Sequence, residues 1–220
     1  DVRAVAEGRR GQVVVSSVYS FASWVLPRVI AEYSARFPNV AVKVLDFSSK
    51  GVQHSLLIGE SDLGICGSHG LHEDLGFSHL AHDRYCALLP AGHALARRRA
   101  VPWRDLLRQP FVALARGTQI REILESALRP HDLIIRATHE ATHSAVLAAM
   151  VERGLGVTAL PETALRAMPL GTLLYRPATD PVIERDVGVL QRRGRSLSPV
   201  ALAFRDELLR FVQRDFIPPA

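Results

Sequence analysis

Short apolar runs alternate along the chain with stretches whose apolar positions follow a helical period. The runs hold four to six residues each and lie at 12–17, 41–46, 63–66, 84–89, 111–114, 133–137, 157–160 and 187–191. Between two of them, Val29, Ile30 and Tyr33 recur every three or four positions, which is the period of a helix. Apolar strands separated by helices are typical of a parallel sheet that is buried on both faces. The pattern therefore predicts an α/β protein.

The order of the predicted elements is doubled. Strand–helix–strand–helix–strand fills residues 12–66 and again residues 111–160, and a helix at 199–212 follows the last strand. Two α/β lobes with a cleft between them would accommodate this order. Small-molecule sites favour such junctions between lobes.

Hydroxyl side chains follow several of the predicted strands, where a helix is about to begin. They are Ser20, Ser48, Ser49, Thr118, and Thr142 with its neighbour His143. One interpretation is that they cap helix N-termini. The alternative is a ligand site, since open α/β folds bind ligands at the carboxyl ends of their strands and helix N-termini suit small anions. Arg116 and Arg121 flank Thr118 and could pair with such an anion. We therefore predict a small, anionic ligand.

Composition narrows the class of protein. The 220 residues carry a formal charge of +5 with dispersed arginines, and no run approaches the roughly 18 apolar residues of a membrane span. The start of the chain lacks an apolar signal region. Cys66 and Cys86 match no metal or redox spacing. We expect a cytoplasmic protein that has two free thiols and does not itself bind membranes or nucleic acid.

The segment His139-Glu140-Ala141-Thr142-His143 has the letter pattern of a zinc-protease helix. That chemistry requires both histidines on one helix face. Here His139 ends a β-rich run and the helix is predicted to begin at Thr142 or His143, so about 13 Å of extended chain would separate the imidazoles. We expect neither a catalytic residue, a metal nor a cofactor, and a zinc hydrolase is the third choice. A second cluster consists of His69, His72, His79 and His82, with Cys66 nearby. It could be a metal-sensing site, but histidines exposed at the surface are the favoured interpretation.

The chain resembles the effector-binding domain of LysR-type transcriptional regulators. The resemblance is carried by GQVVV and FASWVLP within 11–27, AEYSARFPNV at 31–40, GESDLGI at 59–65, LPAGHALA at 89–96, VPWRDLLRQPFVAL at 101–114, VERGLGVTALP at 151–161 and LSPVALAF at 197–204. It implies two Rossmann-like subdomains with a central cleft, similar to the type 2 fold of periplasmic binding proteins. The subdomains would be joined by strands crossing near 82–85 and 179–185.

The resemblance also implies a division of the chain. Residues 1–10 would be the end of a linker helix, 11–82 with 181–220 regulatory subdomain I, and 83–180 regulatory subdomain II. The N-terminal winged helix-turn-helix of the family is absent from this chain, so DNA would be bound only through that missing domain. Family members assemble as homodimers or homotetramers, and a ligand would act on DNA binding by changing the orientation of the lobes.

The effector is expected to contact residues from both lobes. They are Val18, Ser20, Ser48, Ser49 and Gly67 from one lobe, and Thr118, Thr142 and His143 from the other. Tyr19, Cys66 and His143 are unusual for the family at their places, which indicates an unusual ligand. The alternative function is a periplasmic-type solute-binding protein, which shares this architecture.

Overall fold

The computed structural model of the chain describes residues 11–215, and these contain ten strands and eight α-helices. The strands β1 to β10 are Gly11–Val18, Val40–Phe47, Leu63–Gly67, Leu75–Pro90, Val101–Pro102, Phe111–Leu114, Ala137–Ala141, Thr158–Pro161, Leu173–Thr179 and Glu184–Arg192. The helices α1 to α8 are Tyr19–Trp24, Leu26–Arg36, Ser49–Leu57, Trp103–Leu106, Gln119–Leu128, Ser144–Glu152, Glu162–Arg166 and Pro199–Asp215. Among these residues, no helix is both long and apolar enough to cross a membrane.

The described chain divides into two compact units. Residues 11–82 and 186–215 form unit 1, and Asp83–Arg185 form unit 2. The chain passes from one unit to the other within β4, between His82 and Asp83, and within β10, between Arg185 and Asp186. Residues 181–185, which the resemblance assigns to regulatory subdomain I, lie in unit 2. The predicted linker helix at 1–10 and the last residues, 216–220, lie outside the described residues.

Unit 1 is built on the strand order β2-β1-β3-β10, with the first part of β4 next to β10. β1 is parallel to β2 and to β3, and β10 is antiparallel to β3. Its core is one apolar cluster to which β1, β3, α2 and α8 all contribute. The Tyr33 hydroxyl is buried in it and donates a hydrogen bond to the Val200 carbonyl at 3.0 Å, which ties α2 to α8.

Unit 2 is built around the second part of β4. That part is antiparallel to β8 and β9, β9 is parallel to β5, and β6 is parallel to β7. Two apolar clusters lie in this unit. Trp103 is fully buried in one of them and satisfies its indole N–H on the Pro181 carbonyl at 3.0 Å.

The structure confirms an α/β fold but corrects parts of the prediction. The strands are not all parallel, since β10 runs antiparallel to β3, and β8 and β9 run antiparallel to β4. The strand predicted at 133–137 lies instead at Ala137–Ala141, and β5 and β9 were missed.

The helix predicted to run on from Ser20 is broken at Val25 because of Pro27. Proline has no N–H and its ring clashes with the carbonyl four residues earlier, so it is accepted only in the first turn of a new helix.

Candidate ligand-binding site

The carboxyl ends of three parallel strands meet at one edge of unit 1. Val18, the last residue of β1, pairs with Phe47 at the end of β2, and Ser17 pairs with Ile65 near the end of β3. Because the strands are parallel and in this register, the residues that follow them lie at the same edge. We call this edge, formed by Val18, Ser20, Ser48, Ser49 and Gly67, the first ligand edge.

The hydroxyl groups of the first ligand edge differ in role. The exposed Ser48 side chain accepts a hydrogen bond from the backbone N–H of Gly51 at 3.3 Å and caps α3. Ser49 is half-buried at the first position of the same helix. Ser20 is buried inside α1, whose N-cap position is occupied by Val18. The interpretation as a helix cap is therefore confirmed for Ser48 and wrong for Ser20.

A second edge forms in unit 2 by the same geometry. Leu114 at the end of β6 pairs with Ala141 at the end of β7, and the Ala115 N–H donates to the Ala141 carbonyl at 2.8 Å. The residues after these strands therefore lie side by side. We call Arg116, Thr118, Thr142 and His143 the second ligand edge.

The hydroxyl and imidazole groups of the second ligand edge are not used as helix caps. Thr118 and His143 occupy the N-cap positions of α5 and α6, but neither side chain caps its helix. The Thr118 hydroxyl donates instead to the Ala115 carbonyl at 2.8 Å. Thr142 and His143 are exposed, and α6 begins at Ser144 rather than at either of them. The capping interpretation is thus wrong at this edge.

Arg121, predicted as a partner for an anionic ligand, has a structural role. Its side chain is only 2% exposed. The guanidinium donates to the Glu125 carboxylate at 2.6 Å and to the Leu114 carbonyl at 3.2 Å, and lies 3.6 Å from the Glu140 carboxylate. Its charge is therefore already compensated where α5 meets β6 and β7. Arg116 is exposed at the second ligand edge.

The zinc-protease letters fall on two different elements. His139 lies in β7, whereas His143 precedes α6, so the two imidazoles do not share a helix face. Glu140 is instead engaged with Arg121. In the described part of the chain, neither histidine belongs to a group of three side chains that could hold a metal ion.

The two cysteines belong to different units, and both are buried thiols outside any disulfide. Cys66 lies in β3 of unit 1, where its thiol donates to the Gly67 carbonyl at 3.4 Å, and Cys86 lies in β4 of unit 2. Burial raises the pKa of Cys86 to about 12, and the carboxylates of Glu162 and Asp83 act in the same direction. The neutral thiol that results is a poor nucleophile.

A buried polar network, which the sequence analysis missed, lies where the chain enters and leaves unit 2. The Asp83 carboxylate accepts from the Arg185 guanidinium at 2.7 and 2.9 Å and from the Thr163 hydroxyl and N–H at 2.6 and 3.1 Å. Asp83 and Arg185 lie much further apart from each other in the sequence than any local motif extends. Local sequence gave no clear signal of this pair, because other charged residues stand next to each partner: Arg84 beside Asp83, and Glu184 and Asp186 on either side of Arg185.

Each unit thus gathers hydroxyl groups and backbone N–H groups at the carboxyl edge of parallel strands, as α/β proteins that bind small molecules do. The family model described as "LysR substrate binding domain" matches residues 6–213. The chain belongs to this family, whose members are transcription regulators rather than enzymes.

Similar proteins agree with this assignment. The chain is 26% identical over 204 residues to the uncharacterized HTH-type transcriptional regulator YbhD of Escherichia coli K12, covering 93% of this chain and 64% of that protein. It therefore spans less than two thirds of that relative.

Solved structures show the fold, which is the type 2 fold of periplasmic binding proteins. The effector-binding domain of QuiR in complex with shikimate has a TM-score of 0.83 at 15% identity, over 94% of this chain and 100% of that chain. The BenM effector-binding domain with its effector benzoate has a TM-score of 0.82 at 18% identity, over 95% of this chain and 96% of that chain.

Proposed function

We propose that this chain is the sensing domain of a longer LysR-type transcriptional regulator, and that its effector is a small organic anion held by both ligand edges. The observation that carries the proposal is that each unit has an edge of the same construction. Each edge lies at the carboxyl ends of parallel strands and at the N-terminus of a helix of nine or ten residues.

A carboxylate fits the chemistry of these edges. The N-termini of α3, α5 and α6 present backbone N–H groups and a partial positive charge. Around them lie the hydroxyls of Ser49 and Thr142, the imidazole of His143 and the guanidinium of the exposed Arg116. Shikimate and benzoate, the ligands named for QuiR and BenM, are both carboxylic acids. We therefore propose a carboxylate, oriented by hydrogen bonds rather than by a buried cation, since Arg121 is already paired.

The signal would pass from the ligand to DNA through a change in the orientation of the two units. A ligand shifts such an equilibrium only by binding one state more tightly than the other. We propose that the full-length protein is a cytoplasmic homodimer or homotetramer, in which this change moves N-terminal DNA-binding domains. The periplasmic-type solute-binding protein shares the fold, but membership of the regulator family favours the regulator.

The test is thermal unfolding of the purified chain against small aliphatic and aromatic carboxylates, amino acids and inorganic anions. A ligand at 100 times its dissociation constant should raise the unfolding free energy by about 2.7 kcal/mol. We expect Ser49→Ala and Thr142→Ala each to reduce the shift caused by an organic carboxylate.

The matched control is Ser126→Ala, which removes an exposed hydroxyl from α5 away from both edges. It should leave the shift unchanged. The proposed site would be ruled out if Ser126→Ala reduced the shift as much as the edge variants do. It would also be ruled out if neither Ser49→Ala nor Thr142→Ala changed the shift that the ligand causes.

A further inference from the structure

Three side chains from two strands of unit 1 converge on the protein surface. His82 Nδ1 lies 2.7 Å from Oδ1 of Asp186, and His79 Nδ1 lies 3.8 Å from the same oxygen. The two imidazole rings are 4.5 Å apart between centroids. One potential ligand atom from each of the three residues lies within 4.8 Å of the others. In the described part of the chain this is the one such group of three.

The burial pattern of β4 departs from strict alternation and leaves both histidines exposed. Side chains of a regular strand alternate between its faces, which would put residues three positions apart on opposite faces. In β4, however, Leu80 and Ala81 are both buried, whereas His79 and His82 are both exposed. Asp186 is exposed on β10, which neighbours β4 in the sheet. The irregular strand is thus what allows two imidazoles to share one carboxylate.

As an ion pair alone, the cluster would contribute little to stability. Exposed pairs are worth about 0–1 kcal/mol, and the side chains of His79, His82 and Asp186 are each 45% exposed or more. A second imidazole beside an already paired carboxylate adds no further neutralisation. Two nitrogen donors and one oxygen donor that converge from adjacent strands are, however, a typical ligand set for a borderline divalent cation.

We propose that His79, His82 and Asp186 form a binding site for a divalent transition-metal ion of the zinc class. The three residues would supply three ligands and leave a fourth position to water. Ligands in a tetrahedral zinc site are each about 2.0–2.1 Å from the ion and hence about 3.3 Å from one another. The separations of 2.7 and 3.8 Å between the imidazole nitrogens and the carboxylate oxygen lie on both sides of this value, and no ligand atom is more than 4.8 Å from another, so rotations of exposed side chains suffice to close the site.

The location gives such an ion a consequence for the fold. His82 is the last residue of unit 1 in β4 and Asp186 is the first residue of unit 1 in β10. The next residues inward along each strand, Asp83 and Arg185, form the buried ion pair of unit 2. A metal bound by His82 and Asp186 would therefore fasten β4 to β10 beside the two points where the chain passes between units.

The site takes His79 and His82 from the predicted histidine cluster, and no residue of the zinc-protease letters belongs to it. Cys66 is buried and directs its thiol to its own strand, and His69 and His72 do not belong to the group of three. Asp186, more than 100 positions from His79 and His82, replaces them. The proposal is independent of the effector site, since it shares no residue with either ligand edge.

The test is calorimetric titration of the untagged, chelator-treated chain with zinc chloride, together with cobalt(II) absorption spectroscopy. We expect one ion per chain and a visible cobalt spectrum of low coordination number. His79→Ala, His82→Ala and Asp186→Asn should each weaken binding by about tenfold or more, since loss of even an outer-shell partner typically costs 10–100-fold. Zinc should raise the unfolding temperature of the wild-type chain and not that of His82→Ala.

The matched control is the double variant His139→Ala/His143→Ala, which removes two other exposed histidines. It should bind zinc as the wild-type chain does. Absence of saturable binding, binding that survives His82→Ala and Asp186→Asn, or binding lost in the control would each overturn the proposal. All three proposed ligands are exposed, so their variants are expected to fold, which circular dichroism checks.

Discussion

Among single residues, the buried pair of Asp83 and Arg185 dominates the electrostatics at the boundary of unit 2. Their side chains are 1% and 3% exposed, and the carboxylate oxygens are shared between the guanidinium and Thr163. Removing one partner of such a pair leaves the other charge buried without compensation, which is far more costly than losing the pair altogether.

We expect Asp83→Ala to lower the unfolding free energy by about 3–5 kcal/mol, measured by chemical denaturation. The matched control is Arg84→Ala, which removes the next residue from a pair with Glu184 at 3.5 Å whose side chains are 41% and 42% exposed. That change should lower the unfolding free energy by about 1 kcal/mol or less. Equal costs for the two variants would contradict the assignment of a buried ion pair.

Cys86 provides a second prediction at this scale. Burial raises its pKa from 9.0 to about 12, so between these values the unfolded chain releases a proton that the folded chain retains. The contribution of the buried thiol to the unfolding free energy is therefore fully present below about pH 9. It falls by about 1 kcal/mol per pH unit above that value.

We therefore expect the unfolding free energy to fall between about pH 9 and pH 10.5, and to fall less steeply in Cys86→Ala. Burial also raises the pKa of Tyr85, so part of the decrease of the unfolding free energy with pH remains in that variant. Denaturant titrations across this range measure the difference. Identical slopes in the two proteins would show that the Cys86 thiol is not shielded as the structure indicates.

At the scale of elements, close packing of β10 against β4 depends on a residue without a side chain. A Cβ atom at Gly188 would lie 2.6 Å from the carbonyl oxygen of Ser78 and would also overlap the Phe77 ring. At Gly76, in the same pair of strands, a Cβ atom would approach nothing closer than 3.7 Å. Neither glycine has a positive φ, so the two positions differ in available space and not in backbone strain.

We predict that Gly188→Ala destabilises the protein by about 1–3 kcal/mol, because overpacking forces neighbouring atoms to move. Gly76→Ala should change stability by no more than about 0.5 kcal/mol. Thermal unfolding of both variants tests this. A neutral Gly188→Ala would mean that β10 and β4 are further apart than described.

At the scale of the whole molecule, the proposed function requires that a ligand held by both edges changes how the full-length protein binds DNA. Substitutions in either unit should then interrupt the same signal. This requirement separates sensing from simple ligand binding, because a ligand with equal affinity for both states shifts nothing.

In the full-length regulator, the carboxylate found by thermal unfolding should change affinity for promoter DNA by about 5–150-fold. Ser49→Ala in unit 1 and Thr142→Ala in unit 2 should both reduce that change, measured by fluorescence anisotropy of labelled DNA. Ser126→Ala again serves as the control. A ligand that binds both edges and leaves DNA affinity, DNA bending and promoter output unaltered would refute the mechanism.

The sequence alone determined the class of fold and most of the elements. The strand at Phe111–Leu114 was predicted at its observed bounds, and those at Gly11–Val18 and Val40–Phe47 to within one residue at each end. Apolar periodicity succeeds here because it records the local requirement that one face of an element leaves water. For the same reason, the sequence could place Ser49, Thr118 and Thr142 directly after strand ends. Their contact with an effector stays a prediction.

Only the tertiary structure decided which distant residues meet. Local patterns could not show that β10 runs antiparallel to β3, or that β8 and β9 run antiparallel to β4. They also could not show that Arg121 is paired with Glu125 and Glu140. Nor could they join Asp83 to Arg185, or His79 and His82 to Asp186, across roughly 100 residues of chain. The physical reason is that periodicity reports whether a side chain is buried, whereas its partner is chosen by strand order and packing, which involve the whole chain at once.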